Sequence, residues 1–388
     1  MSKPLDYATL SLEAHKRTKG KLTVQTKMPL ENKYDLSIAY TPGVAEPCKQ
    51  IHKDKTLAYE YTSKGNMVAV ISDGSAVLGL GNIGGLASMP VMEGKCALFK
   101  RFGGIDAIPV VLNTQDTEEV VKIIHAISPS FGGINLEDIA APKCFEIEDR
   151  LKEICDIPVM HDDQHGTAVV TLAAMFNALK LTNRKMEDLR VVINGTGAAG
   201  ISIIKLMIEC GVKDVIMVDT QGIIFEGREN LTPIKREMAG ITNRSFLKGN
   251  LSDALIDADV FIGVSAPGVL NQDMIRSMKP NPMIFAMANP VPEIMPDEAK
   301  EAGAFLIATG RSDFPNQINN VLAFPGLFRG ILDARARNFT RSMFIAAAKA
   351  IADLVEEPSP EKIIPDPFDP RVPQAVANAV TRVAKEGN

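Results

Sequence analysis

Several features that would place a chain quickly are missing from this one. Among its 388 residues no uninterrupted apolar run approaches membrane-spanning length, so no spanning helix is expected. The first residues, Met1-Ser2-Lys3-Pro4-Leu5-Asp6, carry no apolar run behind a basic start, and no secretory signal is expected. Cysteine is sparse and scattered: Cys48, Cys96, Cys144, Cys155 and Cys210 are odd in number and never form a C-x-x-C pair. That argues against a disulfide framework or a cysteine zinc site, and for reduced thiols in a cytoplasmic setting. With a net charge of −5 and no Lys/Arg block, there is no electrostatic footprint for nucleic acid. A charged substrate must therefore be met by local groups. Internal repeats and low-complexity tracts are also absent.

What is present is ordinary globular composition, 46% hydrophobic and 23% charged, in a chain long enough for two domains. Apolar strands alternate with helices at short spacing, which signals α/β architecture. In the first half the spacing predicts strands at 67–72, 107–112, 134–138 and 157–160, with helices at 88–101, 117–127 and 144–154. The second half predicts strands at 190–194, 215–219, 258–265, 283–289 and 305–310, followed by a mainly helical tail.

His161-Asp162-Asp163-Gln164-His165-Gly166-Thr167 lies where the strand at 157–160 gives way to a helix read from Ala168. Adjacent carboxylates repel and lose hydration near a core, and strand-to-helix junctions are where α/β folds hold ligands. The plainer reading is that one of the two aspartates caps the helix. Glu137 and Asp138 end another strand. Carboxylates at two strand ends suit a hard divalent cation, Mg²⁺ or Mn²⁺. His161 and His165 read as groups supporting the ligands more readily than as ligands themselves. Spacing alone leaves the metal reading open.

Gly195-Thr196-Gly197-Ala198-Ala199-Gly200 matches G-x-G-x-x-G between a strand and a helix, and the next strand ends in Asp219, 19 residues after Gly200. This context cradles a pyrophosphate on a helix N-terminus and holds a ribose with a carboxylate. Thr220, Gln221 and Gly222 follow Asp219 with no cation, which favours NAD over NADP. A second loop, Gly79-Leu80-Gly81-Asn82-Ile83-Gly84, fits the same pattern with no later ribose acid; it reads as a close-approach loop or a plain turn. Lys95, in a largely apolar helix, either snorkels or is desolvated with a depressed pKa. Tyr40 beside a Pro-Gly turn reads as core or as a phenolic acid. Asn289, Asn319 and Asn320 hydrogen-bond a small carboxylate or the nicotinamide, Asn289 serving cofactor as well as substrate, or only form turns.

Taken together, Ala39-Tyr40-Thr41-Pro42-Gly43-Val44, Asp73-Gly74 with Leu78 to Gly84, Gly94-Lys95, Leu136-Glu137-Asp138-Ile139, Asp162 to Thr167, the nucleotide loop, Ala288-Asn289-Pro290 and Asn319-Asn320-Val321 with Phe324-Pro325-Gly326 resemble the malic enzymes over nearly the whole chain. The length is similar to the compact prokaryotic form. The resemblance implies oxidative decarboxylation of L-malate to pyruvate and CO₂ with NAD(P) and Mg²⁺ or Mn²⁺. It implies Glu137, Asp138 and Asp163 as metal ligands, and Lys95 as general base supported by Asp162. Tyr40 would be the acid that protonates C3, and Asn289 and Asn320 substrate contacts.

The fold expected is a Rossmann-type dinucleotide domain at 162–320 beside an α/β substrate- and metal-binding domain at 1–161, completed by C-terminal helices at 321–388. A homodimer is the default from symmetry and resemblance, and Tyr40 is open to either subunit's cleft. Two departures stand out. Where the larger eukaryotic form has a substrate-gripping arginine, Ala76-Val77 stand here, leaving Arg311 as a candidate on position. Gln221 occupies the place where compact members often carry a lysine, which again favours NAD. The alternatives are a malolactic-type decarboxylase with bound NAD, and a nucleotide-sensing protein that has kept the fold; the Tyr40, Lys95 and carboxylate set argues against the sensor.

Overall fold

In the computed structural model the described residues are 6–77 and 79–387; Met1–Leu5, Leu78 and Asn388 lie outside them, so the reading of the extreme N-terminus and of Leu78 in the second glycine loop goes no further. The chain opens with α1 (Tyr7–Thr18), α2 (Lys33–Ala39), α3 (Ala45–Lys53) and α4 (Ala58–Tyr61), none of which contains a buried residue. A parallel α/β run follows: β1 (Met67–Ser72), α5 (Gly84–Gly103), β2 (Asp106–Val111), α6 (Thr117–Ile127), β3 (Gly133–Leu136), α7 (Lys143–Ile154) and β4 (Val159–His161). These strands form a sheet in the order β2-β1-β3-β4. Sequence order reverses between β1 and β3, so their carboxyl ends open a crevice there.

The long helix α8 (Asp162–Thr182) leads to a second run: β5 (Arg190–Asn194), α9 (Ala198–Glu209), β6 (Asp214–Asp219), β7 (Gly222–Ile223), α10 (Pro233–Ile241), α11 (Leu251–Leu255), β8 (Val260–Gly263), α12 (Gln272–Arg276), β9 (Met283–Ala286), α13 (Pro296–Glu301) and β10 (Leu306–Thr309). The second sheet runs β10-β9-β8-β5-β6-β7, parallel except for β7, which returns antiparallel along β6. Its reversal lies between β5 and β8, beside the Gly195 loop. The two-residue β7 leaves no alternation to read in the sequence.

The tail is helical, with α14 (Phe324–Ala334), α15 (Arg341–Asp353) and α16 (Arg371–Glu386). Helix α14 returns to α5 through the buried rings of Phe324 and Phe328, 4.7 and 5.3 Å from Phe99 in edge-to-face contacts. Such pairs add about 0.5–1.5 kcal/mol each beyond their buried area. They fix α5, and with it Lys95, against the tail.

One expectation is corrected. Helix α8 starts at Asp162 rather than at Ala168, and His161 occupies the N-cap with no side-chain capping bond. Both aspartates belong to the first turn, where the helix dipole favours negative charge, and neither is the cap. A strand-to-helix transition with no loop leaves nothing in the sequence to mark the start. Among the described residues no helix is long and apolar enough to cross a membrane.

Candidate active site

The parallel register of the first sheet pairs Leu136 with His161, which sets Glu137-Asp138 beside Asp162-Asp163. Ligand oxygens of Glu137, Asp138 and Asp163 all lie within 4.8 Å of one another. The Asp138 backbone N–H donates to Asp163 Oδ2 at 2.9 Å, and Asn135 Nδ2 donates to Glu137 Oε2 at 2.8 Å. Asp138 adopts φ +53°, a left-handed conformation that aspartate tolerates better than bulkier residues. Burial pushes the Glu137 carboxyl well above its usual range; Lys95 opposes this, and Asp163, Asp162 and Asp138 add to it. Carboxylates crowded around a buried acid are relieved by a cation, and an all-oxygen donor set suits Mg²⁺ or Mn²⁺. The residues fit such an ion.

Neither histidine joins this set. His165 Nε2 lies 2.9 and 3.0 Å from the two oxygens of buried Glu148, and its ring stacks on Phe344 at 4.7 Å. His161 is fully buried, its pKa lowered by burial, with Nε2 3.3 Å from Asp163 Oδ2. The imidazole lies behind the carboxylate without a hydrogen bond to it, and both of its ring nitrogens are buried without a hydrogen-bond partner. Gly166 is required by the same turn, because a Cβ at that position would run into the Asp162 carboxylate.

Lys95 reaches this cluster from α5. Its Nζ is 2.6 Å from Asp162 Oδ2 and 2.9 Å from Glu137 Oε1, and 4.2 Å from the centroid of the Phe324 ring. It does not snorkel. Burial lowers its pKa, but the attraction of Asp162 and Glu137 outweighs burial, and the net shift is upward. This overturns the expectation of a depressed value: buriedness favours the neutral amine, and two carboxylates at contact distance reverse that.

The dinucleotide loop stands across the cleft. Gly195 has φ +114°, and a Cβ on Gly200 would strike the Gly195 carbonyl. A Cβ on Gly197 would meet nothing within 4 Å, which leaves open space above the N-terminus of α9, the place where a pyrophosphate is held. A cavity of about 570 Å³ is lined by Gly195, Thr196, Gly197 and Asp219. A second cleft of about 680 Å³ is lined by Lys95, Glu137, Asp138, Asp163, Asn289 and Asn320. The residues at hand fit a dinucleotide in the one and a small metal-bound acid in the other.

Comparison with known proteins agrees with this geometry. The family described as malic enzyme, N-terminal domain, matches residues 19–152, and malic enzyme, NAD binding domain, matches residues 164–385. The chain belongs to the malic enzyme family. It is 57% identical to the bifunctional malic/malolactic enzyme of Bacillus subtilis, covering 97% of this chain and 92% of that one. The NADP-dependent malic enzyme of Halomonas elongata is 49% identical, with 94% and 90% covered. The crystal structure of the NAD-dependent malic enzyme of Thermotoga maritima matches with a TM-score of 0.94 and 50% identity, covering 97% of this chain and 99% of that one.

Other residues singled out by the malic enzyme resemblance or by position differ in how they reach that cleft. Tyr40 ends α2 with 66% of its surface exposed and does not line the cleft that holds Lys95. Asn320 lines the cleft, yet its amide is committed at both ends: Nδ2 donates to Asp162 Oδ2 at 3.1 Å and Oδ1 accepts from Thr167 at 3.0 Å. These two contacts brace Asp162. Asn289 lines the same cleft beside Gly79 of the second glycine loop, which places that loop at the substrate side. Arg311 forks onto Asp313 at 2.8 and 2.6 Å and is absent from the cleft lining. Among the described residues lining that cleft, Lys95 is the single cation.

Sequence reading missed two sets of residues. Lys143 Nζ donates to buried Asp73 at 2.6 Å, and Asp73 accepts from the Ser75 hydroxyl, which in turn accepts from Ala140 N–H at 2.9 Å; this network clamps the loop that follows the acids of β3. Arg228 and Lys235 both meet Asp219. No periodicity or motif marks either set: Lys143 and Ala140 come from far along the chain, and Arg228 and Lys235 reach Asp219 only through the turn of the chain after β6.

Proposed function

We propose that this protein oxidatively decarboxylates L-malate to pyruvate and CO₂ with reduction of NAD(P), dependent on Mg²⁺ or Mn²⁺. The observation that carries this reading is Lys95 in contact with Glu137 and Asp162 at the rim of a three-carboxylate cluster, in a cleft faced by the dinucleotide loop. When bound, the divalent cation would polarise the C2 oxygen and stabilise the enolate left by CO₂, while the dinucleotide accepts the hydride. Glu137, Asp138 and Asp163 would hold the cation.

The chain's own groups then manage protons. Glu137, with its negative charge drawn toward a divalent cation that it holds, would attract Lys95 less, so Lys95 would hold its proton less tightly. Lys95 acts as base only after its ammonium has given a proton to solvent; the neutral amine then takes the proton of the C2 hydroxyl, and Asp162, itself braced by Asn320, holds the ammonium so formed. Asn289 orients the acid.

We assign NAD as the preferred nucleotide, since Asp219 is placed to meet a ribose and repels a bare 2′-phosphate. A lower Michaelis constant for NADP would overturn that preference. The reading divides the chain into a substrate and metal domain at 1–161, a dinucleotide domain at 162–320 and C-terminal helices at 321–388. In the second reading, which the name of the 57%-identical B. subtilis relative favours, malate also yields lactate without net NADH. Incubation with malate, NAD and Mn²⁺, with NADH, pyruvate and lactate quantified together, separates the two. Pyruvate equal to NADH and abolished by chelator supports the oxidative reaction; lactate without NADH favours the second; no product with NAD bound leaves the sensor.

The working unit in this proposal is a homodimer that shares its sites. Residues 7–66 contain no buried side chain, while Tyr7, Leu12, Val24, Tyr34 and Tyr40 are each more than 60% exposed. So long an apolar surface calls for a partner, and a second copy would bring its Tyr40 to the cleft. Co-expressing Tyr40→Phe with Lys95→Ala, each inactive alone, is expected to recover about a quarter of wild-type turnover, because half of the dimers are mixed and each carries one intact site. Recovery of nothing would place Tyr40 in its own subunit's site.

A further inference from the structure

The loops that follow β8 and β9 meet around one buried carboxylate. Glu293 has no exposed surface, and its two oxygens are used separately. Oε1 accepts the backbone N–H of Ser265 at 3.0 Å, and Oε2 accepts that of Ala288 at 3.0 Å. Strands β8 and β9 pair in parallel up to Gly263 and Ala286, and Met287 N–H still donates to the Gly263 carbonyl at 3.0 Å. Past that rung both chains turn an N–H toward the same gap. Two donors cannot bond each other, so the gap needs a group that accepts twice and donates nothing, as an ionised carboxylate does. Further out the loops close on backbone alone, with Gly268 and Leu270 N–H donating to the carbonyls of Pro292 and Glu293 at 3.2 and 3.1 Å. Gly263 leaves room for the carboxylate, because a Cβ there would run into it.

This charge is costly to keep. Burial raises the Glu293 pKa, and the N–H groups of Ser265 and Ala288 act against the rise without reversing it. Among the described residues no cation pairs with it. A buried charge without a counter-ion is a poor device for stability, so its use lies in what it holds. Ser265 lines both the dinucleotide cavity of about 570 Å³ and the cleft of about 680 Å³ that contains Lys95, and no other described residue lines both. Ala288 and Asn289 line the second. Asn194, at the end of β5, donates to the Ser265 hydroxyl at 2.7 Å and fixes that residue from the nucleotide side. A dinucleotide with its adenosine half against Gly195 and Asp219 must cross Ser265 for its nicotinamide to reach the cleft. The crossing lies at the reversal of strand order between β5 and β8, where such folds place ligands.

We propose that Glu293 is a positioning residue for the nicotinamide half of the dinucleotide: it sets the spacing of Ser265 and Ala288, and with it the seat of the ring beside the substrate cleft. The adenosine half, held by the Gly195 loop and Asp219, depends on it far less. The inference rests on the dinucleotide reading above and does not require that malate be the substrate.

Titration calorimetry with NADH and with ADP-ribose tests it without turnover, because ADP-ribose lacks the nicotinamide ring. Wild type is expected to bind NADH more tightly than ADP-ribose. Glu293→Gln sets an amide NH₂ against one of the two N–H groups. Restoring the bound spacing then costs a buried donor its acceptor, so NADH affinity should fall about 10- to 100-fold, while ADP-ribose affinity stays near wild type. Glu293→Asp keeps the charge and loses one methylene of reach, so it should lower the NADH-to-ADP-ribose affinity ratio by less. The aspartate variant carries the test should the glutamine variant fail to fold. Equal losses for both probes would make Glu293 a support of the fold alone and overturn the proposal. An unchanged ratio in the folded variant, or a wild type without preference for NADH, would overturn it as well. Failure of both probes to bind wild type would overturn it together with the dinucleotide reading. The expected ratios without malate turnover would leave this proposal standing and remove the oxidative decarboxylase alone.

Discussion

Lys95→Ala is expected to lower malate turnover by about 10²- to 10⁴-fold, the usual contribution of a positioned acid–base group, while dinucleotide binding persists. The geometry explains both halves. Nζ lies 2.6 Å from Asp162 and 2.9 Å from Glu137, whereas the nucleotide loop, Gly195 to Gly200, opens from a different sheet. Alanine also leaves Asp162 buried without its cation, and breaking a buried pair costs about 3–5 kcal/mol, so lost activity alone would be ambiguous. Lys95→Arg resolves the ambiguity. Its guanidinium can restore the ion pair and the stability, yet it does not release a proton near neutral pH. Turnover and thermal midpoint measured for both variants give the answer: the arginine variant should melt near wild type and stay inactive. An arginine variant with near-normal turnover would remove Lys95 from proton transfer and leave it a structural counter-ion.

Asp163→Ala is expected to raise the Mn²⁺ concentration needed for half-maximal turnover by about 100-fold or more. Removing even an outer partner of a metal ligand typically costs 10- to 100-fold, and Asp163 is one of only three carboxylates in the cluster. It also accepts the Asp138 backbone N–H at 2.9 Å, so its loss loosens the turn that aims a second acid. A thermal readout is independent of catalysis. In wild type, Mn²⁺ at a hundred times its dissociation constant should stabilise the fold by about 2.7 kcal/mol through mass action, and chelator should reverse the shift. The variant should show little of this shift at the same concentration. An unchanged Mn²⁺ dependence in both readouts would remove Asp163 as a ligand.

Much of the architecture was legible in the residues. Runs such as Met67–Ser72 and Arg190–Asn194 are apolar and β-branched because both faces of a parallel strand are covered by helices, so they stand out without partners being known. The Gly195 loop was legible for a related reason: its glycines are required by backbone geometry internal to the loop. The start of α8 was not, since no loop residue separates β4 from Asp162 and the helix begins without a side-chain cap.

At the site the division is sharper. Which acids are available, and that they fall at strand ends, is readable along the chain, because position along a strand is local information. The same reading ranks Glu137, Asp138, Asp162 and Asp163 as a set. Their partners depend on how the chain folds. Lys95 reads from its neighbours as snorkelling or desolvated, but folding sets two carboxylates against it, and at these distances their attraction exceeds the cost of burial. Asp219 reads as a lone ribose acid, but folding brings Arg228 and Lys235 to it from 9 and 16 residues downstream. Arg311, plausible from position, is taken by Asp313, and Tyr40 is left facing outward. Electrostatic interaction depends on distance in space and on the surrounding dielectric, and neither is written in the order of residues along the chain.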